Sequence, residues 1–125
     1  MKGEFLMKIF KVLCLLLVVN SVCAAGYSSN ATVTRVGTGP LYANACGTTA
    51  CAFFTVSPVP ISAPGCADHA SGWHFATDTS TEIGKQTYAA LLAAYSSGAT
   101  IRIEGKGTCL ANTTVEDLLY VQLSK

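Results

Sequence analysis

Residues 79–104 read TSTEIGKQTYAALLAAYSSGATIRIE, and this stretch decides the fold. Thr79-Ser-Thr-Glu82 has capping-box spacing, a hydroxyl followed three residues later by a carboxylate, which satisfies free amides at a helix start. Tyr88, Leu91, Leu92 and Tyr95 recur at i, i+3, i+4 and i+7, one stripe of an α-helix. Ser96-Ser97-Gly98 closes the helix with a C-cap glycine. From Thr100 to Glu104 the chain alternates strictly, with Ile101 and Ile103 inward and Arg102 and Glu104 outward, the pattern of a half-buried strand. Gly105-Lys-Gly107 is expected to break that strand.

On the N-terminal side, Tyr27 to Asn30 reads as a polar lead-in and Thr32–Val36 as a β-branched strand. Gly37-Thr-Gly39-Pro40 bends or ends it. Ala52–Val56 is a second strand, and Pro58, Pro60 and Pro64 make the segment after it irregular. Trp73–Thr77 reads as a third strand, with Trp73 and Phe75 on one face and His74 on the other. On the C-terminal side, Leu119, Val121 and Leu123 share one face of a last strand. The order is β-β-β-α-β-β, mainly β with one α-helix. It matches an OB-fold-like five-stranded barrel, with the helix plugging one open end. The Tyr/Leu stripe is then the plug face. Alanines flank it rather than Lys or Arg, which speaks against a helix lying on a membrane.

Residues 1–25 read as an address. Lys2, Lys8 and Lys11 precede the apolar run Val12–Val19, and small residues follow through Ala25, the layout of a secretory signal peptide. The run is too short to span a bilayer, which takes about 20 residues. Cleavage is expected after Ala24 or Ala25. A lipoprotein cysteine at Cys23 fits less well, because Asn20 stands where an aliphatic residue is wanted. Met7 opens a tidier signal than Met1. Residues 26–125 are then a single exported domain, periplasmic or secreted. Loss of three lysines and Glu4 takes the formal net charge from +1 to −1. Only 12% of the chain is charged. With no basic patch, nucleic acid is excluded as a partner, and no membrane contact is expected once the signal is gone. A surface wetted by Ser, Thr and Asn suits neutral polar ligands or packing against another subunit.

Cys14 and Cys23 leave with the signal, while Cys46, Cys51, Cys66 and Cys109 remain. An even number in an oxidising compartment predicts disulfides. Spacing favours Cys46 with Cys51 across a short loop, and so Cys66 with Cys109. A zinc site lacks paired CxxC spacing, and His69 and His74 do not sit at finger intervals, so no metal and no cofactor are expected.

Residues 88–103, YAALLAAYSSGATIRI, resemble the helix-to-strand passage of OB-fold B subunits in bacterial AB5 toxins, those of subtilase cytotoxin, typhoid toxin and the pertussis group. Thr32–Gly39, TVTRVGTG, is similar to their first strand. The whole mature chain also resembles small exported Gram-negative proteins of unassigned function, through Gly72–Ser80, the helix, and Gly107-Thr-Cys109. The toxin resemblance implies a glycan-binding subunit of a homo-oligomeric ring that delivers a separate toxic chain. It places Ser29 at the position of a sugar-contacting serine. It also puts Gly105 near the position of a tyrosine that assists in those subunits, a departure from their pattern.

Catalytic arrangements are poorly supported. A Ser-His-Asp set can be assembled from His69 or His74 with Asp68 or Asp78, but no GxSxG elbow is present. Cys66 beside His69 is no nucleophile once oxidised. Glu116 and Asp117 are adjacent, so in a strand they point to opposite faces. No catalytic residue is assigned. The expectation is a non-enzymatic exported binding module with a glycan or protein ligand. The alternatives are a pentameric toxin B subunit and an exported docking or inhibitor protein. Asn30-Ala-Thr32 and Asn112-Thr-Thr114 match the glycosylation sequon.

Overall fold

The computed structural model describes residues 24–46 and 50–124. The signal-peptide reading of residues 1–23 and the loop 47–49 lie outside the described residues. The elements are β1 (Tyr27–Thr38), α1 (Pro40–Ala45), β2 (Cys51–Ser57), a 3-10 turn (His69–Ser71), β3 (Phe75–Asp78), α2 (Glu82–Ser97), β4 (Ile101–Cys109) and β5 (Glu116–Leu123). The fold is mainly β, with five strands and one main helix. The order departs from the expected β-β-β-α-β-β, because α1 stands between the first two strands and a 3-10 turn precedes the third. Gly39-Pro40 explains α1, since proline at the first helical position loses no needed amide and presets φ.

The strands pair in a ring, β1 with β2, β2 with β3, β3 with β5, β5 with β4, and β4 back with β1. All pairings are antiparallel except β3 with β5. Inside the ring lie Val33, Phe54, Val56, Phe75, Ile101, Ile103 and Leu118, closed over by Leu91 and Ala94 of α2. Each large apolar side chain fully removed from water contributes about 1.5–3 kcal/mol. A second cluster on the outer face joins Phe53, Ala76, Leu110 and Val115 with both Cys46 and Cys51, and Tyr42 and Trp73 pack on it. β2 is therefore buried on both faces, Ala52, Phe54 and Val56 inward and Cys51 and Phe53 outward. Cys46 is bonded to Cys51, and Cys66 to Cys109.

Several local expectations are corrected. β1 begins at Tyr27, because a bulge at Ser29 and Asn30 lets it continue along β4. The helix N-cap is Thr81, whose Oγ1 accepts from Gly84 N at 3.0 Å, rather than Thr79. A Cβ on Gly84 would lie 1.7 Å from the Asp78 carbonyl oxygen, so the first turn sits directly on the end of β3. That close approach sets the helix rotation. Gly84, Leu91 and Ala94 are buried, whereas Tyr95 of the expected stripe is 49% exposed and Leu92 lies at the edge. Trp73 lies before β3 and joins the outer cluster, while Phe75 fills the ring. β4 runs on through Gly105 and Gly107 to Cys109. In β5 the register slips between the Glu104–Tyr120 and Gly105–Leu118 pairs, leaving Leu119 as a bulged residue. A bulge shifts side-chain alternation by one. Leu118 and Val121 thus both face the core, and Leu119 and Leu123 are exposed.

Candidate functional site: an aromatic groove on the outer sheet face

The chain from the 3-10 turn to β3 lays Trp73 along the outer cluster. Asp68 caps that turn, its Oδ1 accepting from Ala70 N at 2.9 Å, and Gly72 ends it at φ 83. Gly72 then offers its carbonyl to the Thr55 hydroxyl. Trp73 meets Tyr42 edge-on at 5.5 Å and Phe53 at 5.9 Å between ring centroids. The Arg35 guanidinium lies 4.3 Å from the Trp73 ring, a cation–π contact. Gly37 of β1 makes room, since a Cβ there would lie 2.7 Å from the indole. The indole is thus held from three sides.

Opposite it, the turn 110–115 folds on itself. Leu110 N donates to the Val115 carbonyl at 3.0 Å, and the Thr113 hydroxyl to the Leu110 carbonyl at 2.8 Å. Asn112 takes the left-handed conformation, φ 61. Asp68 N donates to the Thr114 carbonyl at 2.8 Å, and the Cys66–Cys109 disulfide joins the same two segments. Between turn and indole lies a groove of about 280 Å³. Phe53, Trp73 and Val115 give it apolar walls, and Ser71, Asn112, Thr113 and Thr114 add hydroxyl and amide groups. These lining side chains include no ionisable group. The arrangement presents an aromatic face to stack on and neutral polar groups for orientation.

Ser29 sits elsewhere. It is exposed beside Asn30, φ 53, in the β1 bulge opposite Arg102, between the Ser28–Ile103 and Ala31–Ile101 pairs. Arg102 stacks 5.2 Å from the Tyr27 ring centroid. Arg35, which touches Trp73, is six residues further along β1, about 20 Å at the usual strand rise. The structure does not bring Ser29 to the groove.

A buried polar centre was not legible as such in the sequence. Glu116 is fully buried. Gly26 N donates to both its oxygens at 2.9 Å, and Gly107 N to Oε1 at 2.9 Å. A Cβ on Gly105 would lie 2.1 Å from that carboxylate. Burial pushes the Glu116 carboxyl above its ordinary value, against the two amides and nearby His69, with Glu104 adding to the rise. His74 is buried and accepts at Nδ1 from Val56 N at 3.1 Å. Burial, then neighbouring His69, hold its pKa below the ordinary 6.5. The two imidazoles lie 4.8 Å apart. The available signal was the set of glycines at 26, 105 and 107 around one acidic residue.

The remaining candidates are held structurally. Cys66 is in a disulfide, Asp78 accepts from Ser80 N and Oγ, and Asp117 pairs with Lys106 at 2.9 Å. Among the described residues no group of three His, Cys, Asp or Glu is placed to hold a metal. None of the described helices is long and apolar enough to cross a membrane. Neither a scan of protein-family models nor a search of the curated proteins finds a match to this chain.

Proposed function

We propose that this chain is an exported, non-enzymatic binding module, and that its groove takes a neutral glycan. The observation that carries this reading is the Trp73 groove. A sugar ring has one apolar C–H face and a rim of hydroxyls, which complements an indole bordered by Ser71, Asn112, Thr113 and Thr114. The indole is pinned by Arg35, Tyr42 and Phe53, so little ordering is needed on binding. The ring order β1-β2-β3-β5-β4, with the helix between β3 and β4, supports an OB-type barrel. The two disulfides suit an oxidising environment and so support export. A glycan array read with the mature protein tests the proposal. Signal on a neutral glycan that disappears in Trp73→Ala and in the Ser71→Ala/Asn112→Ala double variant supports it. A blank array sinks the glycan, and unchanged binding by all variants sinks the groove.

A second reading, a pentameric subunit similar to toxin B chains, draws on one feature. Leu92 and Tyr95 of α2 and Leu119 and Leu123 of β5 are exposed apolar side chains on neighbouring elements. Exposed apolar surface of this kind favours association. Light scattering separates the readings, since a monomer at micromolar concentration rejects the pentamer. In the pentamer reading the sugar contact is Ser29, and a Ser29→Ala variant that binds unchanged rejects that site.

A further inference from the structure

We propose that the chain is processed between Ala25 and Gly26, and that the α-amino group so freed forms a buried ion pair with Glu116. The inference rests on reading residues 1–25 as an export signal and goes on to fix its cleavage point.

The geometry around Gly26 carries it. A single N–H of Gly26 is split between both oxygens of Glu116, at 2.9 Å each. An amide has one proton to offer, whereas an ammonium has three. The carboxylate is fully buried, and among the described residues no Lys or Arg is hydrogen-bonded to it. A buried carboxylate without a cation is costly. Space at residue 26 is closed to any side chain, because a Cβ would lie 2.4 Å from Oε2 and 2.9 Å from the Ser62 carbonyl oxygen. Gly26 is also anchored from the other side, its carbonyl accepting from Gly105 N at 2.9 Å. The nitrogen is thus fixed on the carboxylate whether or not Ala25 remains. Ala25 itself offers the small side chain that signal cleavage requires.

Hydrolysis adds water across the Ala25–Gly26 amide under a signal peptidase. The C–N bond breaks, the water oxygen stays on Ala25, which leaves as a carboxylate on the signal, and both water protons end on the Gly26 nitrogen, which becomes the ammonium. The Ser62 hydroxyl, which donates to the Ala25 carbonyl in the intact chain, loses that acceptor. Charged or titratable groups facing the pair are His69 and Glu104, and Gly107 N supplies the remaining hydrogen bond.

The two chain starts lose stability in different pH windows. With Ala25 attached, Glu116 is a buried acid whose pKa is raised, so stability falls as pH rises from 4.5 through the raised value. With Gly26 first, the ammonium favours the carboxylate and that loss disappears. The amine's own pKa is then raised. Its stabilisation is complete below the ordinary α-amine value of about 8 and is lost above it.

The experiment exports the full chain from a bacterium and reads the mass and N-terminal sequence of the product. Gly26 as first residue is expected. The Gly26-first chain and a chain retaining Ala25 are then unfolded in urea from pH 4 to pH 10. His74 contributes equally to both chains, so the readout is their difference. Relative to the Gly26-first chain, the retaining chain is expected to lose stability as pH rises above 4.5, and the Gly26-first chain is expected to lose its advantage above about pH 8. As a readout that needs no variant, the α-amine of the folded Gly26-first chain should acylate with an N-hydroxysuccinimide ester at least tenfold more slowly than in urea. Another first residue, coincident pH profiles, or labelling as fast as in urea would overturn the ion pair. A product still carrying residues 1–25 would overturn the export reading as well.

Discussion

At the scale of single residues, the buried polar centre dominates. Gly105→Ala forces a methyl into the Glu116 carboxylate, and overpacking of this kind costs about 1–3 kcal/mol. Urea unfolding should register that loss, and an unchanged midpoint would mean the carboxylate can step aside. His74 gives an independent pH signature. Its folded pKa is depressed, so the unfolded chain binds the extra proton, and stability falls as pH drops below 6.5 toward the folded value. A His74→Gln variant should lose this acid sensitivity, read as the ratio of unfolding midpoints at pH 5 and pH 7. None of this was visible from residue types alone. Adjacency put Glu116 and Asp117 on opposite faces of a strand, and only the ring closure shows that Glu116 is the one that points inward. The glycines at 105 and 107 suggested a break for the same reason. A strand that carries glycine to admit a carboxylate looks, in sequence, like a strand that stops.

Among elements, the helix and the last strand show how close approach overrides periodicity. The existence, length and C-cap of α2 were legible from its residues, because a sixteen-residue segment averages over many weak preferences. Its start and rotation were not. Thr79 and Thr81 are both competent caps, and the choice falls to the one that lets Gly84 rest on Asp78. Thr81→Ala should cost about 1 kcal/mol, and Thr79→Ala appreciably less, in thermal unfolding. In β5, alternation assigned Leu119 to the core, but a bulge leaves no mark on a hydrophobic pattern. Leu118→Ala should therefore cost about 2–5 kcal/mol, whereas Leu119→Ser should stay within about 0.5 kcal/mol. Equal losses would show that the bulge is misplaced. Trp73 was read as strand core because aromatic alternation with Phe75 looks like a face. The turn residues Asp68 and Gly72 instead place it outside the ring, where it forms a wall of the groove.

At the level of the whole molecule, two cross-links frame the groove. Cys66–Cys109 encloses 43 residues of sequence separation and Cys46–Cys51 encloses five. In the chain-entropy model the long bridge contributes about 4 kcal/mol and the short one about 2. Replacing Cys66 and Cys109 together by serine should lower stability roughly twice as much as replacing Cys46 and Cys51. It should also weaken ligand binding, because that bridge ties the turn 110–115 to the segment that carries Trp73. The groove has one further property that bears on how the protein is made. Asn112 stands on its lip within a sequon, and Asn30 stands beside Ser29 within another. A yeast or mammalian production host would be free to load an oligosaccharide onto either side chain. Material so modified would arrive with the groove or the Ser29 bulge already covered, and a negative glycan screen on it would report the host's chemistry.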